Sequence, residues 1–251
     1  MKNNIFINVD CMQYMNDLSD NAVDLILTDP PYGIGAGKGT EIYLSNNGKQ
    51  DWKGKSANDH TIYGEWDSVK PAPEVFDEMK RVSKNMIVWG GNYFVENLES
   101  HSCWIVWNKL NGESFFADGE LAYTTFDSKL RIFNFLSCGF MGSHKNRDTR
   151  YHPTQKPVPL FEWCLHNYSK ENDLILDPFC GSGTTALACH RSNRRFICLD
   201  KEAKYIEVCK KRYREESIKT SLFYGSQNGE ESQNNNQQMQ VETDETGINR
   251  A

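Results

Sequence analysis

No stretch of the 251 residues approaches the roughly 20 consecutive apolar residues needed to cross a bilayer, so a membrane role is not expected. The N-terminal segment MKNNIFINVDCMQYM lacks the apolar core of a secretory signal, which makes a cytoplasmic location the expectation. No C-x-x-C pair occurs among the eight cysteines (11, 103, 138, 164, 180, 189, 198 and 209), so neither a zinc ribbon nor a disulfide framework is indicated. They read as small buried residues in a reducing compartment. The six histidines show no H-E-x-x-H spacing, and no metal site is expected. Positive charge is also in short supply: the net charge is −6, which at first argues against a nucleic-acid partner.

That charge is unevenly placed. From Gly225 onward five acids (Glu230, Glu231, Glu242, Asp244 and Glu245) face one base, Arg250, a net of −4 that leaves −2 for the remainder. Between Lys129 and Lys156 the bias reverses: Lys129, Arg131, Lys145, Arg147, Arg150 and Lys156 stand against the single acid Asp148. A basic strip of this kind matters more for DNA contact than the global sum, although a solvated loop has the same composition.

Short apolar runs alternate with amphipathic stretches, the pattern of βαβ units and a mostly parallel twisted sheet with helices on both faces. Strands are expected at Ile5–Val9, Val23–Thr28, Met86–Trp89, Trp104–Trp107, Leu121–Thr125, Leu174–Asp177 and Phe196–Asp200. Helices are expected at Pro73–Ser83, Val158–Tyr168, Thr184–Ser192 and Glu202–Glu216. A catalytic domain over 1–223 follows from this layout. Within it, 33–67, rich in Gly, Asn, Lys and Ser, reads as a mobile loop, and 224–251, rich in Gln and Asn and acidic, reads as a disordered tail.

Two segments carry chemistry. Asp29-Pro30-Pro31-Tyr32 follows the strand VDLILT, so its carboxylate falls at the carboxyl edge of the sheet, where open α/β sheets bind ligands. Two prolines remove two backbone donors and stiffen the turn. What remains offers acceptors only, beside an aromatic ring: a receptor for an NH₂ group on a planar ring. An acid-capped proline turn with a core tyrosine is the structural alternative. The second segment, Asp177 to Thr185 (DPFCGSGTT), leads from a strand through a glycine turn into a helix. Its glycines allow close backbone approach to a ligand. Asp200 ends the next strand, near the ~20-residue spacing at which an acid meets ribose hydroxyls in nucleotide-binding units. The full G-x-G-x-x-G fingerprint is absent, and Gly33–Thr40 (GIGAGKGT) fails as a phosphate loop because glycine follows Lys38.

Together the motifs resemble the DNA amino-methyltransferases that modify adenine-N6 or cytosine-N4. Asp29–Tyr32 matches that family's D-P-P-Y motif, Asp177–Gly183 its cofactor loop, and His152-Pro153-Thr154-Gln155-Lys156-Pro157 a segment upstream of that loop. Asn8-Val9-Asp10-Cys11 resembles a short strand end near the cofactor adenine. The catalytic motif precedes the cofactor loop, the permuted order of the β-class.

The resemblance covers about residues 5 to 215 and implies a Rossmann-like fold using S-adenosyl-L-methionine. Asp29, Pro30, Pro31 and Tyr32 would then be catalytic. Asp10, Thr154, Lys156, Asp177, Phe179, Gly181, Gly183 and Asp200 would bind the cofactor, with Thr154 and Lys156 reaching its carboxylate. Asp10 could instead cap a helix at Cys11–Leu18, and Lys156 could be a surface charge.

Lys129, Arg131, Lys145, Arg147 and Arg150 would contact double-stranded DNA, with target recognition in 108–150 and the loop after Tyr32. A bacterial, phage or prophage source, a homodimer and a cognate restriction endonuclease are compatible with the resemblance. D-P-P-Y leans towards adenine, and cytosine-N4 stays open. Cytosine-C5 chemistry is disfavoured, since the chain has no Pro-Cys dipeptide to supply the nucleophile. Two further readings remain open: a non-catalytic DNA-binding subunit, and an RNA or protein methyltransferase on the same fold.

Overall fold

A computed structural model describes residues 4–35, 67–112, 117–136, 151 and 154–220. The chain divides into two units, 1–210 and 211–251; of the second only 211–220 are described, and they are helical. The mobile loop and acidic tail expected from the sequence fall almost wholly outside the described residues, as do Lys145, Arg147, Arg150, His152 and Pro153.

Eight strands form one sheet: β1 (Asn4–Asn8), β2 (Leu25–Thr28), β3 (Met86–Trp89), β4 (Trp104–Asn108), β5 (Gly119–Thr124), β6 (Arg131–Asn134), β7 (Leu174–Asp177) and β8 (Arg195–Asp200). Their order is β1-β8-β7-β2-β3-β5-β4-β6. Every pairing is parallel except those of β5, which runs antiparallel to both β3 and β4. The expected mostly parallel α/β sheet is therefore present. β2, β3 and β7 are buried at every position, as strands covered on both faces must be, and this explains why they read as unbroken apolar runs.

Successive strand residues point to opposite faces. Ile26, Val88, Leu176, Ile197 and Leu199 pack on one side against Met15 of α1 (Cys11–Asn16) and Val75, Phe76, Met79 and Val82 of α2 (Pro73–Val82). Pro73 opens α2 at a position where its missing N–H costs nothing. On the remaining side α3 (Val158–Tyr168) packs on α4 (Thr184–Arg191), which lies against β8. A further helix, α5, begins at 203 and runs to the end of the first unit at 210.

The structure differs from the sequence expectation at one end of the sheet. β6 has the exposed, polar-interrupted sequence RIFN and carries no strand signal of its own; it is held by parallel pairing with β4. β5 begins at Gly119 rather than Leu121, which brings Glu120 into the ladder opposite Trp107. Parts of 108–150 are thus strands of the central sheet.

Candidate active site

The loops at the carboxyl ends of β2 and β7 enclose a cleft of about 440 Å³, within the ~300–1,000 Å³ usual for small-molecule sites. It is lined by Asp29, Pro30, Pro31 and Tyr32 on one side and by Asp177, Phe179, Gly181 and Asp200 on the other. Asp10, Thr154 and Lys156 also line it. Of the residues given a catalytic or cofactor role from the sequence, all of them described, Gly183 is the one that does not line the cleft.

Asp29 sits one residue past β2, and both of its oxygens are engaged. Oδ1 accepts from the Tyr32 hydroxyl at 2.5 Å, and Oδ2 accepts from Lys156 Nζ at 2.6 Å. Burial pushes the Asp29 carboxyl above its usual range, while the Lys156 ammonium pulls it back. Burial beside Asp29 likewise holds the Tyr32 phenol well above its ordinary value, so the hydroxyl stays protonated and donates. The Tyr32 ring stacks on Tyr93, with centroids 4.7 Å apart and planes 16° apart.

That ring depends on two residues that the motif does not contain. Gly90, at φ +69°, faces it so closely that an added Cβ would lie 2.1 Å from Tyr32 Cε1. Asp67, 1% exposed, accepts at Oδ1 from the backbone N–H of Tyr32 (2.6 Å) and of Gly33 (2.9 Å). It thereby satisfies the first two donors after the donor-free proline pair. No local pattern sets this acid apart from its neighbours, so the sequence alone does not single it out.

The second half of the site is a frame of carboxylates. Asp177 is buried and accepts from the hydroxyls of Thr28 (2.7 Å) and Thr185 and from Phe179 N (3.1 Å). Burial raises its carboxyl to about 7 against the opposing pull of the threonine hydroxyls. Asp200 accepts from Gly181 N at 3.1 Å and Glu202 N at 2.9 Å, and burial raises it to about 6. Gly181 and Gly183 turn at φ +50° and +84°. A Cβ on Gly183 would stand 2.9 Å from Cys209 Sγ, so this glycine lets the turn settle on α5. Asp10 caps α1 by accepting from Met12 N at 2.9 Å and still lines the cleft.

Lys156 lies elsewhere than at the surface. It is 4% exposed, beneath the Asp29 turn, within 2.6 Å of Asp29 and 3.0 Å of both the Tyr32 hydroxyl and Glu120 Oε2. Its backbone carbonyl accepts from Thr184 Oγ1 at 3.2 Å, which ties this segment to the start of α4. Lys129 and Arg131 are exposed where the chain enters β6.

The arrangement pairs an acceptor-only turn and a stacking ring with a cleft rimmed by Asp10, Asp29, Asp177 and Asp200. Such a cleft suits a ligand with cationic and hydroxyl groups next to a flat ring bearing an amino group.

Comparison with known proteins agrees with this geometry. Residues 102–211 match the family model N6_N4_Mtase, described as DNA methylase. The chain is 26% identical over 236 residues to the Type II methyltransferase M2.MboI of Moraxella bovis, covering 82% of this chain and 85% of that protein. Among solved structures, TTHA0409 of Thermus thermophilus, complexed with S-adenosyl-L-methionine, superposes with a TM-score of 0.52 at 16% identity over 85% of this chain and 95% of its own. The PvuII DNA methyltransferase, cytosine-N4-specific, superposes with a TM-score of 0.53 at 13% identity over 84% and 86% of the two chains. At such identities the structural likeness is one of fold.

Proposed function

We propose that this chain, which is similar to the DNA amino-methyltransferases of the N6/N4 family, transfers a methyl group from S-adenosyl-L-methionine to the N6 amino group of adenine in duplex DNA. The observation that carries the reading is the Asp29 carboxylate, held at the mouth of β2 by Tyr32 and Lys156 and facing the same cleft as Gly181 and Asp200.

An amino group conjugated to a base ring is a poor nucleophile because its lone pair is delocalised. Hydrogen bonds from that group to Asp29 and to the Pro30 carbonyl favour a more tetrahedral nitrogen and free the pair. S-adenosyl-L-methionine supplies an activated methyl, whose bond to sulfur breaks, leaving the electron pair on sulfur, as the nitrogen–carbon bond forms. The nitrogen then sheds one proton, which Asp29 accepts and passes to water; burial of the carboxyl favours this transfer. Positioning supplies most of the remaining acceleration, because donor and acceptor must meet in line. The base leaves the duplex to reach the cleft and stacks on Tyr32.

The cleft suits the cofactor on its own features. Carboxylates favour a sulfonium, Asp200 lies at a strand end where ribose hydroxyls are bound, and Gly181 opens the backbone beside it. Within this proposal Lys129 and Arg131, with Lys145, Arg147 and Arg150, contact phosphates, and 108–150 with 33–67 reads the target.

Adenine over cytosine-N4 rests on the aspartate that opens the motif. Incubating the purified protein with labelled S-adenosyl-L-methionine and mixed-sequence unmethylated duplex DNA, then digesting to nucleosides, tests it. Label in N6-methyladenosine is expected. Label in N4-methylcytidine would reassign the base, and no label in any nucleoside would sink the proposal.

A further inference from the structure

Lys156 and Asp29 belong to a longer row of charges than the methyl-transfer site needs. Lys156 Nζ lies 3.0 Å from Glu120 Oε2, and Glu120 Oε1 lies 2.6 Å from Lys109 Nζ. The row Asp29–Lys156–Glu120–Lys109 alternates in sign and sums to zero. All four side chains are at least three-quarters buried. Nothing in the D-P-P-Y or glycine motifs refers to Glu120 or Lys109.

We infer that Glu120 is a positioning residue for methyl transfer, one that holds the Lys156 ammonium against Asp29 from the far side while Lys109 closes the row. The inference rests on the methyltransferase reading of Asp29.

Three observations carry it. First, Lys156 Nζ donates to Asp29 Oδ2 and to the Tyr32 hydroxyl and has the Glu120 carboxylate as a further ion-pair partner at 3.0 Å. Two carboxylates about one buried amine favour the ammonium over the neutral form. Glu120 Oε2 makes no directed hydrogen bond, so its contact with Lys156 is that of an ion pair, which constrains distance more than angle.

Second, a buried pair is costly unless its remaining protons and lone pairs are met. When a base amino group takes its place at Asp29, that carboxylate must share its oxygens among Tyr32, Lys156 and the newcomer. Glu120 supplies a second anion that keeps Lys156 charged and in place through that exchange.

Third, the fold delivers Glu120 to the site for a topological reason. β5 runs against its neighbours, so its first residues, not its last, reach the carboxyl edge where β2, β3 and β7 end. Gly119 allows this strand to approach β4, since a Cβ there would lie 2.7 Å from the Trp107 carbonyl oxygen.

The titration directions agree. Lys156 is held above its ordinary value although burial opposes that, because Asp29 and Glu120 both favour the cation. Glu120 is held below its ordinary range although burial opposes that too, because Lys156 and Lys109 favour the anion. The charged and titratable groups around Lys156 are Asp29 and Tyr32 from the β2 turn, Glu120 from β5, and, one contact further out, Lys109, Tyr93 and Asp177.

The test uses the full chain carrying lysine labelled with ¹³C at the ε carbon, Lys156 being assigned by its loss in Lys156→Met. In the wild type the Lys156 resonance should remain that of an ammonium beyond the pH of about 10.4 at which surface lysines titrate. Glu120→Gln should lower its midpoint by about one pH unit or more. Glu120→Asp, which withdraws the carboxylate, should lower it less.

In the DNA methylation assay, Glu120→Gln should reduce kcat with little change in KM for S-adenosyl-L-methionine, and its alkaline limb should move with the Lys156 midpoint. An unchanged midpoint in folded Glu120→Gln overturns the inference. If that variant does not fold, an unchanged midpoint in Glu120→Asp does the same. A shifted midpoint with unaltered kcat also overturns it, because the row would then be structural alone. A shifted midpoint in a wild-type protein that methylates no DNA instead removes the proposed function, and with it the catalytic role of the row, while the charge row itself stands.

Discussion

The Thr28 hydroxyl donates to Asp177 Oδ1 at 2.7 Å, a buried contact between residues 149 apart in the chain. Thr28 ends β2 and Asp177 ends β7, and the two strands are hydrogen-bonded neighbours. The acceptor turn and the glycine loop, remote in sequence, are therefore fastened by one hydrogen bond at the base of the cleft. Much of the site's behaviour follows from how tightly its two halves are joined.

Replacing Asp29 by alanine should abolish methyl transfer, with a loss of about 10²–10³-fold or more, the scale of removing one preorganised polar group at a reacting centre. Binding of S-adenosyl-L-methionine, measured by calorimetry, should change much less. A variant that kept wild-type turnover would rule out the role given to this carboxylate.

Asp67→Ala should strip the acceptor from the part-buried backbone N–H groups of Tyr32 and Gly33, at a cost of at most roughly 1–3 kcal/mol for each, since water can reach part of the site. Thermal melting should show the loss, and Asp67→Asn, which retains an oxygen acceptor, should recover part of it. Equal melting points for the alanine variant and the wild type would contradict this account.

Gly90→Ala should displace the Tyr32 ring, because the added methyl would occupy space only 2.1 Å from its Cε1, and the φ of +69° adds roughly 1–2 kcal/mol of strain. Activity should fall further than stability does. A Tyr32→Ala background should remove most of the steric penalty, so melting curves of the double variant give the check; additive losses would argue against the clash.

Asp177 and Asp200, raised to about 7 and about 6, predict a definite sign of pH dependence. A carboxyl that holds its proton more tightly when folded gives stability that is complete below its unfolded pKa of about 3.9 and is lost as pH rises through the folded value. Stability should therefore decline between about pH 4 and pH 7 on account of these two groups. For Asp177 the decline is at most roughly 4 kcal/mol, since each pH unit between the unfolded and folded values carries about 1.36 kcal/mol. Asp177→Asn should flatten the curve in melts across that range, and an equally steep curve in that variant would refute the assignment.

Much of the architecture was legible because it is written in local pattern. β2, β3 and β7 announce themselves as short apolar runs, since both of their faces are covered. α2 shows buried residues at helical spacing behind a proline. β6 did not announce itself: Arg131–Asn134 has three exposed positions of four, and its pairing with β4 holds it in the sheet. In the site, the chemistry of Asp29–Tyr32 and of Asp177–Gly183 could be argued from residue type and order. Asp67, Gly90 and Glu120 could not, because each acts on a residue at least 30 positions away and none carries a motif of its own.

Lys156 shows the boundary most clearly. Taken with its neighbours in the sequence it is a cation in a basic strip, assigned to the cofactor by resemblance; in the fold it is buried against Asp29. Residue type and order fix which groups are available: an acceptor-only turn, a glycine loop, an acid at the end of β8, and strands apolar enough to build the sheet that holds them. Which of these groups share a cleft, and which charges meet, is set by the folded sheet. Strand order and the reversed direction of β5 are set by packing the whole sheet, and that packing brings Thr28 to Asp177 and Glu120 to Lys156 across distances that no local spacing records.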